Sequence, residues 1–197
     1  VIGGEPFINK QIYSILEGLT KIDKIKSIVI YTNGMIPPKI EHLKLLKHEK
    51  ILFSVTDYGK LGKNTDRTIE FLNTNDISHR AHPPENWTDS GKIGNYRRTV
   101  DQMKELFSKC CGKNLYTIVN GKFYRCPFAA NADSLEAIPK NKKNYVSVTA
   151  NSKKIKKYAY DLDFIPACNF CPGRSFDAPE IIAAVQTKQP LAYKKFS

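Results

Sequence analysis

Five cysteines stand in the C-terminal half of the chain: Cys110, Cys111, Cys126, Cys168 and Cys171. Cys168 and Cys171 form a C-x2-C knuckle, a turn that aims two sulfurs at one centre. Cys111 lies just before one arm of a hairpin pattern and Cys126 ends the other. A hairpin returns its two ends together, so these thiols are expected to converge despite fifteen intervening steps of chain. Four thiolates suit zinc or an iron–sulfur cluster, and their identity alone does not separate the two. Cys110 is the alternative to Cys111, because neighbouring side chains on an extended segment face opposite ways. The plainer reading makes some of them buried apolar residues; the knuckle together with the hairpin pair weighs toward a shared metal or cluster. An odd cysteine count with no basic-then-apolar leader argues against a disulfide framework and for a reducing, cytoplasmic setting.

A second group of residues sits near the start. Gly3-Gly4-Glu5-Pro6 offers two glycines, which let a ligand approach the backbone, and a carboxylate suited to an ammonium group. Thr32-Asn33-Gly34 ends the following strand pattern. Either stretch alone reads as an ordinary turn, but both fall at the carboxyl ends of strands expected to be parallel, where α/β folds bind ligands. Asp57, His79, His82 and Trp87 are further polar or aromatic candidates. Surface or packing roles account for all four, and no catalytic residue is assigned.

The elements that must position these groups alternate in type. Apolar residues from Phe7 to Leu19 recur at helical spacing, predicting a helix over roughly 8–20. Ile28 to Tyr31 and Ile51 to Val55 are continuous apolar runs, as in strands buried on both faces. Pro37-Pro38 opens a second helix, and Asn64-Thr65-Asp66 caps a third. Residues 79–95 read as an irregular loop, and Arg97 to Ser108 as a helix. Asn120-Gly121 between two β-rich arms is a strong hairpin signal. Residues 134–152 are polar and poorly patterned, a basic helix is expected over 153–162, and Asp177 is expected to cap a last helix through Ile181 and Val185. The fold class is therefore α/β, with a boundary near residue 100: 1–100 as a parallel α/β sheet or part of a (β/α) barrel, and 101–197 as a small Cys-rich α+β extension containing the hairpin.

Of 197 residues, 41% are hydrophobic and 25% charged, a globular composition. No run of 18 apolar residues exists, so no membrane partner is expected. The net charge is +12. Lysines 140, 142, 143, 153, 154, 156 and 157 form the one concentrated block. A solvated surface explains it better than a nucleic-acid site, which stays open as the less favoured partner.

Together the motifs resemble the radical S-adenosylmethionine enzymes. Gly3-Gly4-Glu5-Pro6 looks like that family's GGEP motif, which holds the amino group of the cofactor, and Ile30-Tyr31-Thr32-Asn33-Gly34 matches the strand that follows it. The C-terminal half is similar to the family's SPASM and twitch extensions. Their pattern opens with a cysteine, nine to fifteen residues, a glycine, four residues and a cysteine, and Cys111, Gly121 and Cys126 fit it. Cys168 and Cys171 supply a later C-x2-C, whereas the next two cysteine positions of the full SPASM pattern hold Asp177 and Ile181.

The resemblance implies one auxiliary [4Fe–4S] cluster on Cys111, Cys126, Cys168 and Cys171, with Cys110 as the alternative to Cys111. It also implies S-adenosylmethionine held by Gly3, Gly4, Glu5, Pro6, Thr32 and Asn33. The family's C-x3-C-x2-C loop, which binds a first [4Fe–4S] cluster, is not in this sequence. The expectation is a C-terminal portion of a longer enzyme, inactive alone, with a chain that has lost its chemistry as the other explanation. The implied activity is oxidoreductase-type hydrogen abstraction from a peptide, a sugar or a cofactor precursor, with a flavodoxin or ferredoxin as reductant. The alternative is a non-catalytic zinc-binding module that binds protein or RNA.

Overall fold

The computed structural model describes residues 1–2, 4–175, 177–183, 192, 195 and 196. Two compact units account for most of it, Val1–Glu85 and Asn86–Ile182. The division falls before the boundary read near residue 100.

In the first unit, α1 (Ile12–Thr20) leads to β1 (Ile28–Thr32), α2 (Leu43–Leu46) to β2 (Ile51–Thr56), and α3 (Thr65–Thr74) to β3 (His79–His82). The three strands are parallel, in the order β1-β2-β3. Val1 lies beside β1, its amino group donating to the Val29 carbonyl and its carbonyl accepting from Tyr31 N–H. The strands form an open sheet, and no barrel closes among the described residues.

Ile28, Ile30, Ile51, Phe53 and Val55 share one sheet face by register, and Ile12, Leu16, Leu46 and Leu72 from the three helices pack on it. The helices therefore cover one face only. Along the other face the register sets Tyr31 opposite Ser54 and Ser54 opposite Arg80, with Thr56 opposite His82 in the next row.

Residues 79–95, expected as a loop, contain β3 and a short β4 (Trp87–Thr88). The sequence His79-Arg80-Ala81-His82 has no apolar periodicity, and its strand form comes from pairing with β2. The expected second helix is also shorter than read: a 3-10 turn at Ile40–His42 precedes the single turn of α2.

The second unit begins with β4 and continues through α4 (Val100–Lys109), β5 (Thr117–Val119), β6 (Lys122–Tyr124), α5 (Pro127–Ser134), β7 (Tyr145–Ser147), α6 (Ser152–Tyr160), a 3-10 turn at Pro166–Asn169 and β8 (Glu180–Ile181). Thr99 and Gln102 form a capping box that starts α4. Strands β5 and β6 make the hairpin expected around Asn120-Gly121, where both residues have positive φ, 50° and 70°. β7 extends this sheet from within the segment read as unpatterned.

β8 pairs antiparallel with β4. It replaces the start of the helix expected from Asp177; Val185, read as part of that helix, lies outside the described residues. Phe107, Tyr124, Ala129, Ala130, Ala132, Ile138, Ile165 and Ala167 form the core of the unit together with Cys168. No helix among the described residues is long and apolar enough to cross a membrane.

Candidate functional site

Four cysteines line one cavity of the second unit: Cys110, Cys126, Cys168 and Cys171. Each comes from a defined local structure. Cys110 is the extended residue that ends α4. Cys126 caps α5, its Sγ accepting from Ala129 N–H at 3.5 Å. Cys168 sits in the 3-10 turn, and Cys171 follows it with Sγ accepting from Gly173 N–H at 3.4 Å. Backbone N–H donors of this kind stabilise thiolates and tune any metal they bind.

Cys111 is not on the cavity wall. Its N–H donates to the Arg174 carbonyl at 3.2 Å. Sequence reasoning placed Cys111 at the centre with Cys110 as its alternative; the structure brings Cys110 to the cavity, because α4 runs to Lys109 and sets the direction of the residue after it.

The cavity holds about 30 Å³ between apolar walls that include Phe107 and Ile165. That is room for two waters or so, and more than one small ion fills. Burial pushes the Cys126 thiol up to about 11 and the Cys168 thiol up to about 12, and the neighbouring thiols add to both. Cys171 is raised for the same first reason, with Arg98 and Arg174 pulling it back. Burial thus favours the thiol form of Cys126, Cys168 and Cys171, and metal uptake there would release protons.

Among the described residues, no three His, Cys, Asp or Glu side chains stand close enough to hold a metal ion. A single zinc needs its sulfurs roughly 3.8 Å apart, from Zn–S bonds of about 2.3 Å in a tetrahedron. A four-iron cluster spreads its thiolates more widely, because each binds a different iron.

Two arginines, Arg98 and Arg174, stand beside the thiols, and a third, Arg125, is buried in the same unit. Arg98 Nη1 donates to the carbonyls of Cys168 and Cys171, both at 2.7 Å, and so clamps the knuckle. Arg125 is buried, donates to the Ala159 and Lys113 carbonyls and lies 5.1 Å over the Phe107 ring. Arg174 borders the cavity, and its buried Nε has no hydrogen-bond partner among the described residues. Among the described residues none of the three pairs with a carboxylate. An anionic all-thiolate cluster would supply the missing negative charge. By donor type, apolar lining and surrounding charge, the residues fit that group.

The first unit holds the other expected site. Glu5 is buried beside the carboxyl end of β1. Its Oε2 accepts from Thr32 Oγ1 at 2.7 Å and Asn33 N–H at 3.0 Å, and its Oε1 accepts from Phe7 N–H at 3.1 Å. Among the described residues it has no cationic partner. Each carboxylate oxygen can accept more than these bonds, so an ammonium group would complete the set.

Gly4 has φ +51° and nothing within 4 Å of where a Cβ would stand, which leaves its approach open. Pro6, also buried, starts the 3-10 turn Pro6–Ile8. Gly3 lies outside the described residues. Glu5, Thr32 and Asn33 are thus brought together, twenty-seven residues apart along the chain.

Of the other candidates, Asp57 accepts from Gly59 N–H and Trp87 is half exposed in β4. His79 Nδ1 bonds the Ile77 carbonyl. His82 bonds Ser54, a contact that sequence reasoning missed because the strand carrying it had no apolar signature. Arg98 and Arg125 were missed for lack of any spacing rule; Arg174, three residues past Cys171, was findable by proximity.

No protein-family model matches the chain, and no curated protein matches it in sequence.

Proposed function

We propose that this chain is the C-terminal portion of a radical S-adenosylmethionine enzyme, carrying one auxiliary [4Fe–4S] cluster on Cys110, Cys126, Cys168 and Cys171. The convergence of these four thiols on one apolar cavity carries the reading. Three further observations support it. Arg98 and Arg174 stand beside the thiols with no carboxylate partner among the described residues. A buried carboxylate, Glu5, waits at the end of β1 with Thr32 and Asn33. Parallel strands carry helices on one face only, which is how a (β/α) barrel is wound.

When bound, the clusters and S-adenosylmethionine supply an electron and the radical that removes hydrogen from a substrate. The chain's own residues bind and orient. Glu5 would accept from the cofactor ammonium, Arg98 fixes the cysteine knuckle, and the apolar walls at Phe107 and Ile165 would shield a bound cluster. An odd set of cysteines read as metal ligands suits a reducing cytoplasm, where a flavodoxin or ferredoxin would serve as reductant.

Anaerobic reconstitution with iron and sulfide tests the assignment. The unmodified chain should take up about four irons and four sulfides and turn brown. Cys110→Ser and Cys126→Ser should lose most of that uptake, while Cys111→Ser keeps it. A colourless protein holding one zinc and no sulfide would instead support the zinc-binding module, and equal loss from Cys110→Ser and Cys111→Ser would overturn the choice of ligand.

A further inference from the structure

We propose that the face of the parallel sheet opposite its helices, at Tyr31, Arg80 and His82, binds the oxyanion group of a small-molecule substrate, a carboxylate or a phosphate. That the bound molecule is a substrate rests on the proposed function; the anion site itself does not.

Parallel sheets are almost always covered on both faces. Here all three helices lie on one face, and the other carries polar side chains in register. Tyr31, Ser54 and Arg80 form one row across β1, β2 and β3, and Thr56 and His82 form part of the next row toward the carboxyl ends. Neighbouring strands stand about 4.8 Å apart, so Tyr31 and Arg80 flank a gap of roughly 10 Å between their backbones. Two long side chains can close that gap on one oxyanion.

The middle of the row is built as a fixed floor. His82 Nδ1 lies 2.9 Å from the Pro83 carbonyl, which can only accept, so Nδ1 carries the ring proton. His82 Nε2 therefore accepts from the Ser54 hydroxyl at 3.1 Å, and Ser54 Oγ accepts in turn from Arg80 Nε at 3.4 Å. Ser54 is fully buried and its bonding is used within this chain of contacts. It holds Arg80 by Nε alone.

The two terminal nitrogens of the guanidinium remain directed away from that bond, in the fork geometry that suits a carboxylate or phosphate. Arg80 is exposed and Tyr31 is 40% exposed, so both are open to a ligand. No ion pair to Arg80 occurs among the described residues. Asp57, at the end of β2, is turned into its own loop and accepts from Gly59 N–H at 2.8 Å, and Asp76 and Glu85, the acidic residues nearest to Arg80 along the chain, form no ion pair with it among the described residues. The face thus carries the Arg80 charge without a counter-charge among the described residues.

Imidazole resonances of the four histidines, followed by NMR in the full chain without iron, test this. Inorganic phosphate and citrate are titrated separately. Either should shift the His82 signals saturably while His79, on the opposite face, and His42 and His48 stay fixed. The tighter probe tells phosphate from carboxylate. Arg80→Gln should weaken binding at least tenfold, and Arg80→Lys and Tyr31→Phe should weaken it less, with the remaining spectrum unchanged in each. Absence of a saturable His82 shift with both anions, or undiminished binding in Arg80→Gln, would overturn the site. A chain that binds anion here but takes up no iron keeps this site and loses the radical-enzyme reading; the converse result does the reverse.

Discussion

At the scale of single residues, the second unit depends on a few buried polar groups whose partners are fully specified. Asp133 is the clearest. Its carboxylate is nearly inaccessible and accepts from the Tyr124 hydroxyl at 2.6 Å and from Lys122 Nζ at 2.8 Å. Burial alone would raise its pKa, but the bonds from Lys122 and Tyr124 outweigh it and hold the carboxyl below the usual range. The Tyr124 hydroxyl is correspondingly raised, by burial first and by Asp133 second. A carboxyl with a lowered folded-state pKa contributes stability that is present above its unfolded value, near 3.9, and lost as pH falls through the folded value. Asp133→Asn should therefore lower stability at pH 7 by roughly 1–3 kcal/mol, because Lys122 loses its charged partner. At about pH 3 the gap between the variant and the unmodified chain should be narrower than at pH 7, because the unfolded-state carboxyl is by then largely protonated and stability is being lost toward the folded-state value. Urea unfolding at the two pH values measures it. A gap that stays constant would mean that the charge of Asp133 contributes nothing.

At the scale of elements, two glycines with similar φ separate backbone strain from crowding. Gly121, in the hairpin turn, has φ +70° and open space where a Cβ would stand. Gly34, after β1, has φ +71°, but a Cβ there would meet Thr65 Cα at 3.1 Å. Gly121→Ala should cost about 1–2 kcal/mol, the left-handed penalty alone, and Gly34→Ala distinctly more. Urea denaturation of the two variants compares them, and equal losses would show that α3 yields to the added methyl. The same two positions mark what the sequence disclosed. Asn120-Gly121 announced its turn, and Ile28–Thr32 and Ile51–Thr56 announced themselves as apolar runs. β3 did not, because its outward side chains are Arg80 and His82, and only pairing with β2 makes it a strand. α5 was also silent: it buries Ala129, Ala130 and Ala132, residues too small to write an apolar stripe. The thiol group was legible as a set of cysteines, but the choice between Cys110 and Cys111 depended on where α4 stops, and helix ends are the least readable feature of a sequence.

At the scale of the molecule, the two units carry separate cores, Ile12 to Ile77 in one and Phe107 to Cys168 in the other. The four thiols that converge belong entirely to the second, on α4, the end of the hairpin and the knuckle. A ligand bound only by the folded state stabilises it by RT ln(1 + [L]/Kd), about 4 kcal/mol when present at a thousand times its Kd. Iron–sulfide loading should therefore slow amide exchange where the cysteines are anchored: at the C-terminal end of α4, around Cys126 and across Cys168–Gly173. Peptides from α1 and β1 provide the reference and should exchange as they did before loading. Arg125 ties the hairpin's end to the carbonyl end of α6, so protection should extend into that helix although it contributes no cysteine. Exchange followed by mass spectrometry, on anaerobic protein with and without iron and sulfide, reads all three regions at once. Uniform protection of both units would mean that the metal acts by association of chains, and protection of neither would mean that iron binds without closing the thiol cavity.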